Sequence, residues 1–311
     1  MTNGRWITRR ESLKRIARIG GGVAAAWAGG GVVPGIGRAA SSGFLVEGVG
    51  ETEGYDVKEL VRKVFEAGGG MERFVSRGDV VVLKPNLSWA RPPEMAATPN
   101  PHVLEAVVEL CRDAGAGKVR IVDHTIHDAR RCFALSGAGR VAEKTGADLV
   151  FPRSTLMREM RIHGHRLDVW PVYVPVVEAD RVINLPIAKT HGLSTLTLGM
   201  KNWIGGVGGR RHALHQDIHQ TVVDLAQFFK PEVTLVDAIR ILERNGPVGG
   251  SPKDVAVRNT LILSDDPVAA DTRAAALFGL SADGVGAIGL AEKWGLGTTD
   301  VPSLNPGRVV L

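Results

Sequence analysis

Cysteine is nearly absent from this chain: Cys111 and Cys132 are the only two among 311 residues. An intrinsic four-cysteine iron–sulfur cluster is therefore excluded. Two readings of the thiols stay open, a disulfide or two buried free thiols, and the second suits Cys111, which shares the apolar side of a helical pattern with Val103, Val107 and Val108. A basic excess is also missing once the N-terminus is set aside. The formal charge is +5, but residues 1–40 hold seven Lys/Arg and one Glu, which leaves 31 basic against 32 acidic residues in the remainder. Nucleic acid is thereby excluded as a partner of the folded part, and any anion site must be local. The glycines at 205–209 match neither the dinucleotide fingerprint nor the P-loop, because no strand immediately precedes them and no Gly-Lys-Ser/Thr follows. No serine stands in a G-x-S-x-G elbow, so hydrolase chemistry of that kind has no support. The apolar stretch 19–36 is too interrupted by glycine to read as a membrane span.

What the N-terminus does contain is an address. Thr8-Arg9-Arg10-Glu11-Ser12-Leu13-Lys14, followed by a weakly apolar Gly/Ala stretch and small residues near 37–39, resembles the twin-arginine export motif. That resemblance implies a signal peptide over residues 1–40, the twin-arginine translocase as a partner, and a periplasmic or other extracytoplasmic location. It also implies folding before export, often around an inserted cofactor.

Beyond the leader, apolar strands alternate with amphipathic helices. The β-branched run at 79–83 reads as a buried strand, as do 119–122, 147–151, 181–185, 232–236 and 260–263. Helical spacing predicts helices at 57–65, 102–114, 139–145, 217–229 and 268–278. Residues 163–174 alternate and contain proline, which predicts an edge hairpin or small β insertion. Residues 41–311 are thus expected to form one layered α/β domain, with a mainly parallel sheet and helices on both faces. In such sheets the ligand crevice lies outside the carboxyl ends of the strands.

Polar residues cluster at those ends. Lys84 and Asn86 follow one strand, Asp123 and His124 the next, and Lys189 and His191 follow the strand at 181–185 in what reads as a loop. Residues 182–216 add Lys201, Asn202, a glycine run and Arg210, Arg211, His212 and His215. A glycine-rich loop can aim backbone N–H groups at an anion, while lysine can supply a point charge, a base or an amine nucleophile. Lys84, Asn86, Asn202, Gly205, Gly206, Gly208 and Arg210 are therefore expected to hold a small carboxylate or phosphate, as substrate or cofactor. Lys189, His191, Lys201 and His215 are expected to carry the chemistry. If a helix begins early, His212, His215 and His219 share one face, and with Asp123 they form a candidate set for a divalent metal.

The run LPIAKTHGLSTLTLGMKNWIGG, with VVLKPNLS upstream and VDAI, NGP and SDDPVAADT downstream, resembles the family catalogued as domain of unknown function 362 over about residues 78–300. The resemblance implies a family and no reaction. Some of its members are iron–sulfur proteins with additional cysteine motifs, and this chain departs from them. A similarity in style to lactate-racemase-type proteins, which pair lysines and histidines around a cofactor, implies proton abstraction beside a carboxylate. Two functions are consequently carried forward: an exported enzyme acting on a small anion, and a non-catalytic extracytoplasmic protein that binds a metal or an anionic metabolite. The sequence fixes no oligomeric state.

Overall fold

In the computed structural model, residues 43–311 are described, and the twin-arginine segment lies outside them. Five strands form the parallel part of the sheet: β2 (Val80–Pro85), β3 (Lys118–Val122), β4 (Asp148–Val150), β7 (Arg181–Leu185) and the long β10 (Val233–Leu242). Their order is β10-β7-β2-β3-β4. The chain runs outward from β2 through β3 to β4 and then returns to the opposite side of β2 as β7. The strand order therefore reverses between β2 and β7, the place where open α/β sheets form a crevice.

Three further strands extend the sheet beyond β10, the last of them forming its edge. β11 (Val255–Ser264) pairs antiparallel with both β10 and β1 (Leu45–Val49), and β12 (Gly307–Val310) lies parallel to β1. β5 (Met157–Arg161) and β6 (Val169–Tyr173) form a separate antiparallel pair, which is the small β insertion expected near that position.

Strand side chains alternate between two cores because successive residues face opposite sides of a sheet. Val81 and Leu83 of β2 enter one core with α1 (Val57–Ala67), α2 (Pro101–Asp113), α3 (Ala129–Leu135) and α4 (Ala138–Thr145), whereas Val82 enters the other. Past the short helix α5 (Val174–Val177), that second core is built with α6 (Ile218–Phe229), α7 (Pro267–Ala276) and α8 (Gly286–Lys293). The layered α/β class with helices on both faces follows directly. Cys111 and Cys132 are free and buried, which closes the disulfide reading. Burial raises both thiols above their ordinary range, Cys132 to about 11.

Two local expectations are corrected. Residues 187–191 are not a loop: Ile187–His191 is a strand, β8, parallel to β10 and antiparallel to β9 (Thr195–Thr197). The histidines at 212, 215 and 219 do not share a helix, since Arg211–His215 is a 3-10 turn and α6 begins only at Ile218, behind its cap Asp217.

Candidate functional site

The ends of β2, β3 and β8 meet two 3-10 segments, Met200–Gly206 and Arg211–His215, around a cavity of about 510 Å³. One part of its wall is cationic or basic: Lys189, Lys201, Arg211, His191, His212 and His215. Another part is apolar, formed by Trp89, Ile126, Leu193, Ile204 and Pro247. Among the described residues, no Asp or Glu lines it.

Its foundation is a buried ion pair. Lys84 Nζ stands 2.7 Å from Asp123 Oδ1 and donates to Asn202 Oδ1 at 3.0 Å and to the carbonyl of Pro85 at 2.9 Å. Asp123 Oδ2 accepts from the backbone N–H of Leu87 at 2.7 Å. Asn202 returns its amide to the carbonyl of Lys84 and to Asn184 Oδ1, both at 2.8 Å. Burial pulls Lys84 below the ordinary lysine value, with Asp123 opposing that shift. Lys84 therefore stands behind the cavity wall as a strut. Asn202 does line the cavity, but both ends of its amide are already engaged inward.

Gly205 lines the cavity because only glycine fits there: a Cβ would collide with Asp123 Oδ1 and crowd Lys84 Nζ. Gly206 lies against Phe229, and Gly208 donates its N–H to Pro171 and sits beside Met157. Arg210 is exposed and outside the cavity wall. The glycine run thus serves close packing, and of its members only Gly205 reaches the cavity.

Lys189 is buried and donates to the carbonyl of Ala97 at 2.6 Å and to Asn86 Oδ1 at 3.2 Å. Burial first, and then the charge of Lys201, hold it well below the usual lysine range. Lys201 differs. Among the described residues, its amine makes one hydrogen bond, a long 3.4 Å contact to Thr197 Oγ1, and has no carboxylate partner. Protein packs closely round the side chain while the cavity reaches it, and burial brings its pKa down to about 7.

His191 and His215 stack with ring centroids 5.8 Å apart and planes 7° from parallel. His191 Nδ1 accepts from the N–H of Leu193 at 3.1 Å, which assigns the ring proton to Nε2. Burial and then Lys201 push His191 down to about 3, and the same two causes lower His215. Both rings are accordingly neutral at pH 7.

The metal set does not assemble. His219 of α6 packs against Gly286 of α8, Asp123 is taken by Lys84, and His212 and His215 are left on the cavity wall. Among the described residues, no three His, Cys, Asp or Glu side chains stand together as metal ligands. Of the two neighbouring arginines that could supply countercharge, Arg211 and not Arg210 reaches the cavity, and its guanidinium is fixed by the carbonyls of His124 at 2.5 Å and Thr125 at 2.6 Å. His124 faces away, with Nδ1 2.7 Å from the carbonyl of Val207.

A family model described as a domain of unknown function (DUF362) matches residues 81–276. The chain belongs to this family. A relative found by sequence is the thylakoid-associated protein sll1697 of Synechocystis sp., 30% identical over 265 residues that span 80% of this chain and 79% of the relative. Among solved structures, the lactate racemase apoprotein of Thermoanaerobacterium thermosaccharolyticum aligns with a TM-score of 0.45 at 12% identity, over 77% of this chain and 57% of that one. A crystal structure of a Thermotoga maritima protein aligns with a TM-score of 0.40 at 11% identity, over 76% and 59% respectively. The chain thus spans less than two thirds of the length of either structure.

Proposed function

We propose that the cavity binds a small organic anion, carboxylate or phosphate, and acts on it as an enzyme by proton transfer. One observation carries this reading: Lys189, Lys201 and Arg211 converge on a wall that, among the described residues, no Asp or Glu lines. Gathering basic groups in a desolvated site disfavours their charged forms, and an anionic ligand favours them again. The apolar wall of Trp89, Leu193 and Ile204 suits the carbon skeleton of such a ligand, which favours an organic anion over a bare inorganic one.

Chemistry beyond binding is supported by Lys201, whose pKa of about 7 suits it to give and take protons at neutral pH, and by the neutral His191–His215 pair beside it. The reading includes twin-arginine export from Arg9 and Arg10, with which the thylakoid association in the relative's name is compatible. Calorimetric titration with a panel of carboxylates and phosphates tests the anion site. Arg211→Met and Lys201→Met are each expected to weaken the same ligand at least tenfold, since a charge-assisted hydrogen bond is worth about 1.5–3 kcal/mol. Absence of saturable anion binding by the wild type would overturn the reading. Proton NMR in deuterated water separates enzyme from binding protein: accelerated exchange at the carbon beside the carboxylate marks turnover, and its absence across the ligands that bind favours the binding protein.

A further inference from the structure

Lys201 is unlike the other lysines at the site. Lys84 is locked in an ion pair and Lys189 is committed to two oxygens, whereas the Lys201 amine borders the cavity with only the hydroxyl of Thr197 at 3.4 Å. The neutral imidazoles of His191 and His215 share the cavity wall with it, the first with its proton assigned to Nε2, and Arg211 lies on the same wall as a fixed cation. An amine in a poorly hydrated pocket, flanked by groups able to shuttle protons and by a cation able to hold a carboxylate, is the arrangement that imine chemistry needs.

We infer that Lys201 is a nucleophile that forms an imine with a carbonyl-bearing carboxylate, a 2-oxo acid with an apolar substituent. This deepens the anion reading of the same cavity and rests on it. Arg211 takes the carboxylate, the side of Trp89 and Leu193 takes the substituent, and the carbonyl carbon faces Lys201. The neutral amine adds to that carbon, forming the C–N bond as the carbonyl electrons move to oxygen. One amine proton passes to that oxygen, directly or through an imidazole. The nitrogen lone pair then closes the C=N bond while the oxygen leaves as water, carrying the second proton. One amine and one carbonyl give one imine and one water, with no change in oxidation state. At neutral pH an amine whose pKa has fallen to about 7 is half unprotonated, while an ordinary lysine is almost wholly ammonium.

The test pairs two ligands on the intact protein. Phenylpyruvate carries the carbonyl; 3-phenylpropionate has the same skeleton and charge without it. The protein is incubated with phenylpyruvate, reduced with borohydride, digested and mapped by mass spectrometry. The expected result is a reduction-dependent adduct on the peptide containing Lys201, lost in Lys201→Arg and kept in Lys118→Arg, a surface control. Formed at a series of pH values before reduction, the adduct should increase up to about pH 7 and then level off. Calorimetry with 3-phenylpropionate is run beside it. Binding of that analogue without an adduct on Lys201 overturns the imine and leaves the anion site standing, whereas failure of both ligands overturns both. An adduct spread over surface lysines in wild type also overturns the inference, and this peptide map does not depend on any variant folding.

Discussion

Lys84 and Lys201 show one side chain put to opposite uses by its nearest neighbours. Lys84 meets a carboxylate at 2.7 Å in a fully buried position, so truncating it leaves Asp123 charged and unpaired in the interior. Breaking such a pair from one side costs about 3–5 kcal/mol. Lys84→Met is expected to lower the stability of the domain by that amount in urea unfolding, and adding Asp123→Leu should return much of it. A stable single variant with weakened ligand binding would instead make Lys84 a ligand contact. Lys201 has no such partner, and its consequence is a pH dependence. A simple carboxylate is ionised throughout the range above pH 5, and His191, at about 3, is neutral there. Below about pH 7 the Lys201 ammonium attracts the anion; above it, binding must take up a proton. Affinity for 3-phenylpropionate should therefore fall as pH rises through 7, approaching tenfold per unit, and Lys201→Met should flatten that slope in the same titrations.

At the scale of elements, the 3-10 segment Met200–Gly206 delivers Lys201, Asn202 and Gly205 together, and it is anchored from another layer. Asp271 of α7 accepts from the N–H groups of Gly199 at 2.7 Å and Met200 at 3.0 Å, and burial pushes its carboxyl up to about 7. Asp271→Ala leaves two buried donors unpaired, for which about 2–4 kcal/mol of lost stability is expected. The folded fraction should bind anions more weakly as well, although Asp271 lies outside the cavity wall; an unchanged affinity would show that the segment holds its place without α7. This anchor is invisible in sequence, where Asp271 is simply a polar residue within the helix predicted at 268–278. The strands at 80–85, 118–122 and 181–185 were legible because buried parallel strands are plain β-branched runs. β8 was not, because Lys189, Thr190 and His191 are polar residues in a strand that borders a cavity. The helical reading of His212 to His219 failed for a related reason: a three-residue spacing fits a 3-10 turn as well as an α-helix, and Asp217 caps a new helix between them.

Across the whole molecule, the reversal of strand order between β2 and β7 explains why residues more than a hundred positions apart, such as Lys84 and Asn202, converge, and why the convergence could be anticipated from strand ends alone. Among the described residues, β1 begins at Leu45, the N–H of Phe44 is bonded to Asp265, and β1 is paired on both sides by β11 and β12. Among the described residues no helix is long and apolar enough to cross a membrane. Export and folding should then be separable. On the proposed twin-arginine reading, Arg9 and Arg10 are an address read by a receptor, so Arg9→Lys with Arg10→Lys is expected to remove the address without disturbing the folded unit. The double variant is expected to accumulate in the cytoplasm with the thermal midpoint of the wild-type domain and the same affinity for 3-phenylpropionate. Cell fractionation and thermal unfolding measure the two properties independently. Continued export of the double variant would remove the twin-arginine route, and a lowered midpoint would show that the leader contributes to the fold.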